Sequence, residues 1–429
     1  MPPLEGARGD ADHADRQAHL SAPAEARSPQ SLALALTPGT LLAGLAGGIA
    51  FPILPEFGLR AGLPIAFIGV ILAANRAARV VANPFVGYLT DRIGGRRTLL
   101  LGLVLQIVVM GFYWLGVRTG HPGVFFLVGR LVHGPGSSCV FVSGQALALE
   151  AGGKAHGGRV GGIVRAAMGV GVPIGLVAGG LLSEAWGEAH TFEMATVALV
   201  VATLLALWLV PDVRVAVRKA MNMFAAARGL ADRRLAALGG LNFASTFAAS
   251  GMVLTTIVFL LRARGLTVLH MTERGTSSAF MGLLVITEAL SMPLFGRLGD
   301  RTRGHATIGA AGIALLVPSL IVIALSHTTL ALAAGVTLLG IGTGALGPSV
   351  LALVADIVAP ERTGIAVGVL QLCGDVGGAA GPLIGTVLFT GSVELPYFVS
   401  AAVVLALLPA AIWLARDRSA ALALPPATL

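Results

Sequence analysis

Seven ionisable side chains stand deep inside stretches apolar enough to lie in lipid: Arg76, Arg79, Arg130, His133, Arg165, Glu288 and Asp375. A charge in hydrocarbon costs several kcal/mol, so each of these is a functional candidate. A guanidinium facing a carboxylate forms an ion pair that a conformational change can make or break. A carboxylate freed from its pair can take up a proton, and a guanidinium in excess can hold an anionic group. Glu56, Glu150, Glu193 and Asp356 sit at the ends of apolar stretches, within reach of water. No GxSxG, Walker or HExxH motif occurs, so the common hydrolases and ATP-driven machines lack their chemistry here. Cys139 and Cys373 both lie in apolar segments, which gives neither a disulfide nor a metal site. The Gly342-Thr-Gly344-Ala-Leu-Gly347 run fits a nucleotide-binding pattern, but no strand precedes it and helix packing explains it.

The elements that must position these charges follow from composition. The chain has 429 residues, 55% of them hydrophobic and 12% charged, with 58 glycines and a mean hydropathy of +0.86. A soluble domain carries about 25% charged residues. The formal charge of +8 is spread between apolar runs, which argues against nucleic-acid binding. About twenty apolar residues cross a bilayer as a helix. That rule gives twelve spans, at 33–56, 64–89, 97–117, 122–148, 159–183, 191–210, 235–261, 276–297, 305–326, 329–355, 364–390 and 395–415. The predicted fold is all-α and integral to the membrane, with twelve helices in two pseudo-symmetric six-helix bundles. Residues 31–210 form the first bundle and 235–415 the second, joined by a cytoplasmic linker at 211–234. The polar segment 1–30 reads as a disordered cytoplasmic tail rather than a signal peptide, and 416–429 as a second tail.

Twenty of the 29 Lys and Arg residues fall in the tails and alternate loops, and five in the opposite loops. Both termini are therefore expected in the cytoplasm. In the linker, Val217, Met221, Phe224 and Arg228 recur at helical spacing. That segment reads either as an interfacial helix on anionic lipid or as a solvated connector.

The end of the second span, Asn83-Pro84-Phe-Val-Gly87-Tyr-Leu-Thr-Asp91-Arg92-Ile-Gly94-Gly-Arg96-Arg97, recurs at the end of the eighth. There the sequence is Met292-Pro293-Leu-Phe-Gly296-Arg-Leu-Gly-Asp300-Arg301-Thr-Arg303. Repeated six-span halves mark secondary transporters, whose substrate sits near the midplane between them. At this point the sequence resembles the major facilitator superfamily. The Gly87–Arg97 stretch is similar to that family's loop motif, and Arg130-Leu-Val-His133-Gly134 to its fourth-helix motif. Gly377–Gly385 is similar to the glycine-proline motif of its exporters, which Gly169–Gly175 matches only in part because Val172 precedes the proline. The resemblance implies that Asp91, Arg92, Arg96 and Arg97, with Asp300 and Arg301 in the second copy, latch the cytoplasmic face. It also implies that helix 2 lies beside helix 11 and helix 5 beside helix 8.

Counting back from the paired glycines, Arg79 corresponds to Glu288. At 1.5 Å per residue both lie about 12 Å above those glycines, while Arg76 and Asp375 lie about 16 Å deep. Two cross-half ion pairs are expected: Arg76 or Arg79 with Asp375, and Arg165 with Glu288. Arg130, His133, Asn75, Asn242 and Gln371 are expected to line a substrate cavity. The reading is a secondary transporter of a small organic solute, exporting it by exchange for protons, with no cofactor and no metal. Its expected partners are substrate, protons and lipid, and it is expected to act as a monomer in the inner membrane. Proton-coupled or facilitated uptake of an organic anion is the alternative. A transport-inactive sensor or scaffold on the same fold is the alternative from another class.

Overall fold

The computed structural model describes residues 29–211, 229–268, 271–358 and 363–423. The expected tail at 1–30, apart from its last two residues, and most of the linker at 211–234 fall outside these, including the suggested interfacial helix. Twelve helices among the described residues are long and apolar enough to cross a membrane. The first six are span 1 (Leu34–Arg60), span 2 (Ile65–Ile93), span 3 (Gly95–Thr119), span 4 (Pro122–Ala148), span 5 (Ala167–Trp186) and span 6 (Glu188–Leu209). The second six are span 7 (Arg233–Arg264), span 8 (Glu273–Thr302), span 9 (His305–Leu325), span 10 (Thr329–Ile357), span 11 (Ile365–Phe389) and span 12 (Leu395–Arg416). Large apolar side chains such as Trp208, Leu330, Phe85 and Leu294 stand outward, as lipid-facing surface requires.

Spans 4 and 5 belong to one stretch of helical backbone, Pro122–Trp186, 65 residues long. Drawn straight, that helix would run about 98 Å, some three times the thickness of the hydrocarbon core. It does not run straight. A Cβ placed on Gly144 would lie 3.5 Å from Val164 Cγ1, so the chain reverses between them and the two arms cross the membrane in opposite senses.

Burial separates the described residues into two large cores, beside a small cluster of Ala82, Val86 and Cys139. One draws on residues 35–210 and takes Phe259 from the other half, with Phe389 packed against it. The second draws on residues 235–414 and takes Leu176 from the first half, with Phe51 and Val172 packed against it. Each bundle thus packs on itself, and the seam between them is left to a smaller set of contacts.

Small residues set how closely helices approach at equivalent places in the two halves. Span 5 lies against span 1 so tightly that a Cβ on Gly44 would stand 2.6 Å from Met168 O, and Gly171, Gly175 and Gly179 face span 1 carbonyls in the same way. Span 11 repeats this on span 7, where a Cβ on Gly251 would lie 2.9 Å from Gly381 Cα. The glycine-proline stretches of spans 5 and 11 therefore have a packing role in each half. Caps hold the helix entries of the second half. Asp232 Oδ1 accepts from Arg234 N at 2.9 Å, Thr272 Oγ1 accepts from Gly275 N, and Thr328 Oγ1 accepts from Ala331 N.

Span 7 is not uniformly α-helical: Phe247–Val253 is a π-helix, set where Gly251 meets Gly381. A π-turn widens the helix by a residue and is enriched at functional positions.

Candidate functional site

The charges singled out in the sequence converge from both halves at the middle of the bundle. Asp375 on span 11 is fully buried and receives Arg76 Nη1 at 3.1 Å, with Arg79 Nε at 3.7 Å. Its other oxygen accepts from Gln371 Nε2 at 2.9 Å and from Asn83 Nδ2 at 3.3 Å. Asn83 in turn accepts from Ser138 Oγ at 2.7 Å, tying span 4 to the cluster. The carboxylate is thus saturated by one neighbour from its own helix and three from span 2, which is what a fully desolvated charge requires. The Arg76/Arg79–Asp375 geometry agrees with the depth arithmetic. Asn83, adjacent to the span 2 proline, is a further member of the set.

Glu288 is placed differently. It has no hydrogen bond or ion pair among the described residues, and it faces a central cavity of about 210 Å³. The backbone that presents it is pinned by span 10: a Cβ on Gly344 would stand 2.6 Å from Glu288 O. The side chain of Arg165, its expected partner, lies outside the described residues. Spans 2 and 11, and spans 5 and 8, do pack together as expected.

Seven spans wall the cavity, and its charged lining is Arg76, Arg130 and Glu288. Arg130 is 4% exposed. Its Nη2 donates to Leu72 O at 3.0 Å, its guanidinium lies 5.6 Å from the Phe51 ring centre, and its Nε has no hydrogen-bond partner. Ser250 and Ala249 reach the cavity from the π-helix.

Four of the five side chains expected to line this space do not. Asn75 Nδ2 and His133 Nδ1 are 2.9 Å apart and buried between spans 2 and 4. Asn242 Nδ2 donates to Leu370 O at 2.7 Å, and Gln371 is spent on Asp375. Asn75, His133 and Asn242 thus satisfy a neighbouring helix and Gln371 a carboxylate on its own helix, as buried amides and imidazoles must. Depth along the helix was legible, but azimuth was not.

The ends of the spans expected to face outward carry a second network, which the sequence did not reveal. Arg274, at the start of span 8, places Nε 2.8 Å from Glu56 and Nη2 2.7 Å from Glu188. Its Nη1 donates to Ser183 O at 2.9 Å. All three faces of the guanidinium are thus held by the opposite half. Arg60 also bonds both Glu56 and Glu188, and Glu184 Oε1 accepts from Thr272 N at 3.1 Å. Beneath this network a Cβ on Gly282 would touch Val177, and one on Gly180 would overlap Ser278. This face of the bundle, opposite the one that carries the termini, is closed. Glu56 was expected to reach water and is instead 7% exposed, because it bridges two arginines. The available signal was the set of acids Glu56, Glu184 and Glu188 at the outer ends of spans 1, 5 and 6.

The loop residues expected to latch the cytoplasmic face lie apart from both networks. Asp91 has no hydrogen bond or ion pair among the described residues. Arg96 does not turn to Asp91 but donates to Leu207 O at 2.5 Å, where span 6 ends and its carbonyls present partial negative charge. Arg92 reaches Tyr88 Oη at 3.3 Å, Arg97 and Arg301 are exposed, and Asp300 Oδ1 lies 3.1 Å from His305 Nε2.

Two six-helix halves around a midplane cavity, closed on one face, define an alternating-access membrane transporter. The chain belongs to the Major Facilitator Superfamily, whose family model matches residues 36–304 and again 241–428. It is an integral, multi-pass membrane transporter and not an enzyme. It is 27% identical over 369 residues to the "Multi-drug resistance efflux pump PmrA homolog" of Lactococcus lactis, covering 82% of this chain and 86% of that protein. It is 25% identical over 371 residues to "Multidrug resistance protein MdtG" of Klebsiella pneumoniae, covering 81% and 84%. The human organic anion transporter MFSD10 (TETRAN) shares the fold, with a TM-score of 0.64 at 20% identity over 89% of this chain and 99% of that one.

Proposed function

We propose that this protein exports small organic solutes from the cytoplasm across the inner membrane in exchange for protons. In this reading both termini face the cytoplasm, no cofactor is needed, and the monomer is the working unit. The observation that carries it is the contrast between the two membrane-embedded acids. Asp375 is bound on every side, while Glu288 faces the cavity with no partner among the described residues. Glu288 is then the group that trades a proton for substrate, and Asp375 with Arg76 and Arg79 is the pair that strains as the halves rock. The locked outer face and the unlatched Asp91 fit one access state, in which the cytoplasmic side releases and rebinds. Relatives named as multidrug efflux proteins support the direction of transport. The two cavity arginines favour a second reading, proton-coupled uptake of an organic anion.

The test is proton movement in everted membrane vesicles challenged with cationic, neutral, zwitterionic and anionic compounds. Substrate-triggered proton release that disappears in Glu288→Gln is expected. Compound movement without protons, or release that survives in Glu288→Gln, overturns the assignment.

A further inference from the structure

The cavity is electrically two-sided. Its wall from the first half carries the guanidinium groups of Arg76 and Arg130, and its wall from the second half carries the carboxylate of Glu288. Phe51, Leu72, Leu254, Val285 and Pro382 supply apolar surface around them. No ion pair joins Glu288 to either arginine among the described residues. Arg76 shares its charge with Asp375, which Arg79 also approaches. Arg130 has a carbonyl, an aromatic face and the neutral Tyr113 hydroxyl beside it, but no carboxylate among the described residues, and its Nε lacks a hydrogen-bond partner. His133, the nearest other titratable group on span 4, is engaged with Asn75. Arg165 stands at the foot of span 5, its side chain outside the described residues.

Opposite charges held apart in a low-dielectric space attract a ligand that completes both. A plain cation would leave Arg130 uncompensated and be repelled by it. A plain anion would meet the same difficulty at Glu288. We infer that the cavity selects small zwitterions with an apolar body, the anionic group on Arg130 and Arg76 and the protonated amine on Glu288. The volume of about 210 Å³, below the roughly 300–1,000 Å³ typical of drug-sized ligands, sets the size as small. This inference rests on the exchange reading, and it deepens that reading: the ligand's ammonium group occupies the carboxylate that otherwise holds the proton. A single ligand bridging the walls also couples the halves, because its two ends sit on different rigid bodies.

The experiment measures binding to purified, detergent-solubilised protein, with no gradient present. The probes are a length series of ω-amino carboxylic acids, each compared with its methyl ester and its N-acetyl derivative. At the preferred length the zwitterion is expected to bind about tenfold more tightly than either blocked form, as one charge-assisted hydrogen bond provides. Arg130→Gln is expected to erase the advantage over the ester alone, and Glu288→Gln the advantage over the N-acetyl form alone. Arg130→Lys, which keeps the charge, is expected to retain part of it and guards against a folding defect in Arg130→Gln. The inference is overturned if no length in the wild-type series prefers the zwitterion, or if both variants keep the preference. The two readings fail separately. Zwitterion binding with silent vesicles would remove proton exchange alone, and proton release by plain cations without zwitterion preference would remove this inference alone.

Discussion

Arg274 is the single side chain on which closure of the outer face depends most. It enters from span 8 and bonds Glu56, Glu188 and the Ser183 carbonyl, all in the other half. Arg274, Glu56 and Glu188 have side chains only 12%, 10% and 13% exposed, so solvent screens them weakly. Removing one partner of such a buried pair costs about 3–5 kcal/mol. The lower figure applies here, because Arg60 remains on both carboxylates. About 3 kcal/mol taken from the closed form shifts the closed-to-open ratio roughly a hundredfold. Ser278 is buried beneath the network against Gly180, so Ser278→Cys, with Cys139 and Cys373 replaced by serine, reports opening. The rate of labelling by an impermeant maleimide from outside should rise about a hundredfold in Arg274→Ala, since labelling tracks the open population when closing is fast. Arg60→Ala should raise it far less, because Arg60 belongs to the same half as its partners and is 45% exposed. An unchanged rate in Arg274→Ala, or an equal rise in Arg60→Ala, would refute the assignment of the outer lock.

Three further expectations follow from the packing. Asp375→Ala leaves Arg76 and Arg79 uncompensated and should lower the thermal midpoint in detergent, while adding Arg79→Ala should recover part of the loss; strictly additive losses would contradict the shared cluster. Gly344→Ala drives a methyl group into the Glu288 carbonyl and should impair proton release without changing any charge, whereas the same substitution at Gly111, which faces open space, should be silent in the vesicle assay. In the loop before span 12, hydrogen bonds from the Ser392 hydroxyl and from the residue's own backbone N–H, together with Arg264, hold the Glu394 carboxyl below its usual range. Its contribution is therefore present above about pH 4.3 and lost only as pH falls through that lowered value. A melting profile against pH should stay flat for this pair at mildly acidic pH, and Glu394→Gln should abolish the step at lower pH.

Much of this molecule is written in residue order. Spans, their number and the two-half repeat follow from local hydropathy and from Pro84, Gly87 and Asp91 recurring as Pro293, Gly296 and Asp300. The Arg76–Asp375 contact was accessible because depth is a simple count along two helices that pack side by side. What sequence does not carry is rotation about the helix axis. Asn75, His133 and Asn242 lie at suitable depths but turn toward neighbouring helices, and Gln371 turns to Asp375 on its own helix; these partners satisfy their polar groups better than a cavity would. The outer lock was hidden for a different reason. Arg274 lies 218 positions from Glu56, and each residue alone looks like an ordinary charge at a membrane boundary. The π-helix of span 7 arises where Gly251 meets Gly381 and has no local sequence mark.

The central claim is that Glu288 is the group that exchanges a proton for substrate. Its most direct test is proton counting on purified protein in weakly buffered detergent solution, on addition of the compound most active in the vesicle panel. The account predicts stoichiometric release from wild type, release retained in Arg274→Ala, and none in Glu288→Gln although that variant still binds the compound. Equal release from wild type and Glu288→Gln would contradict it.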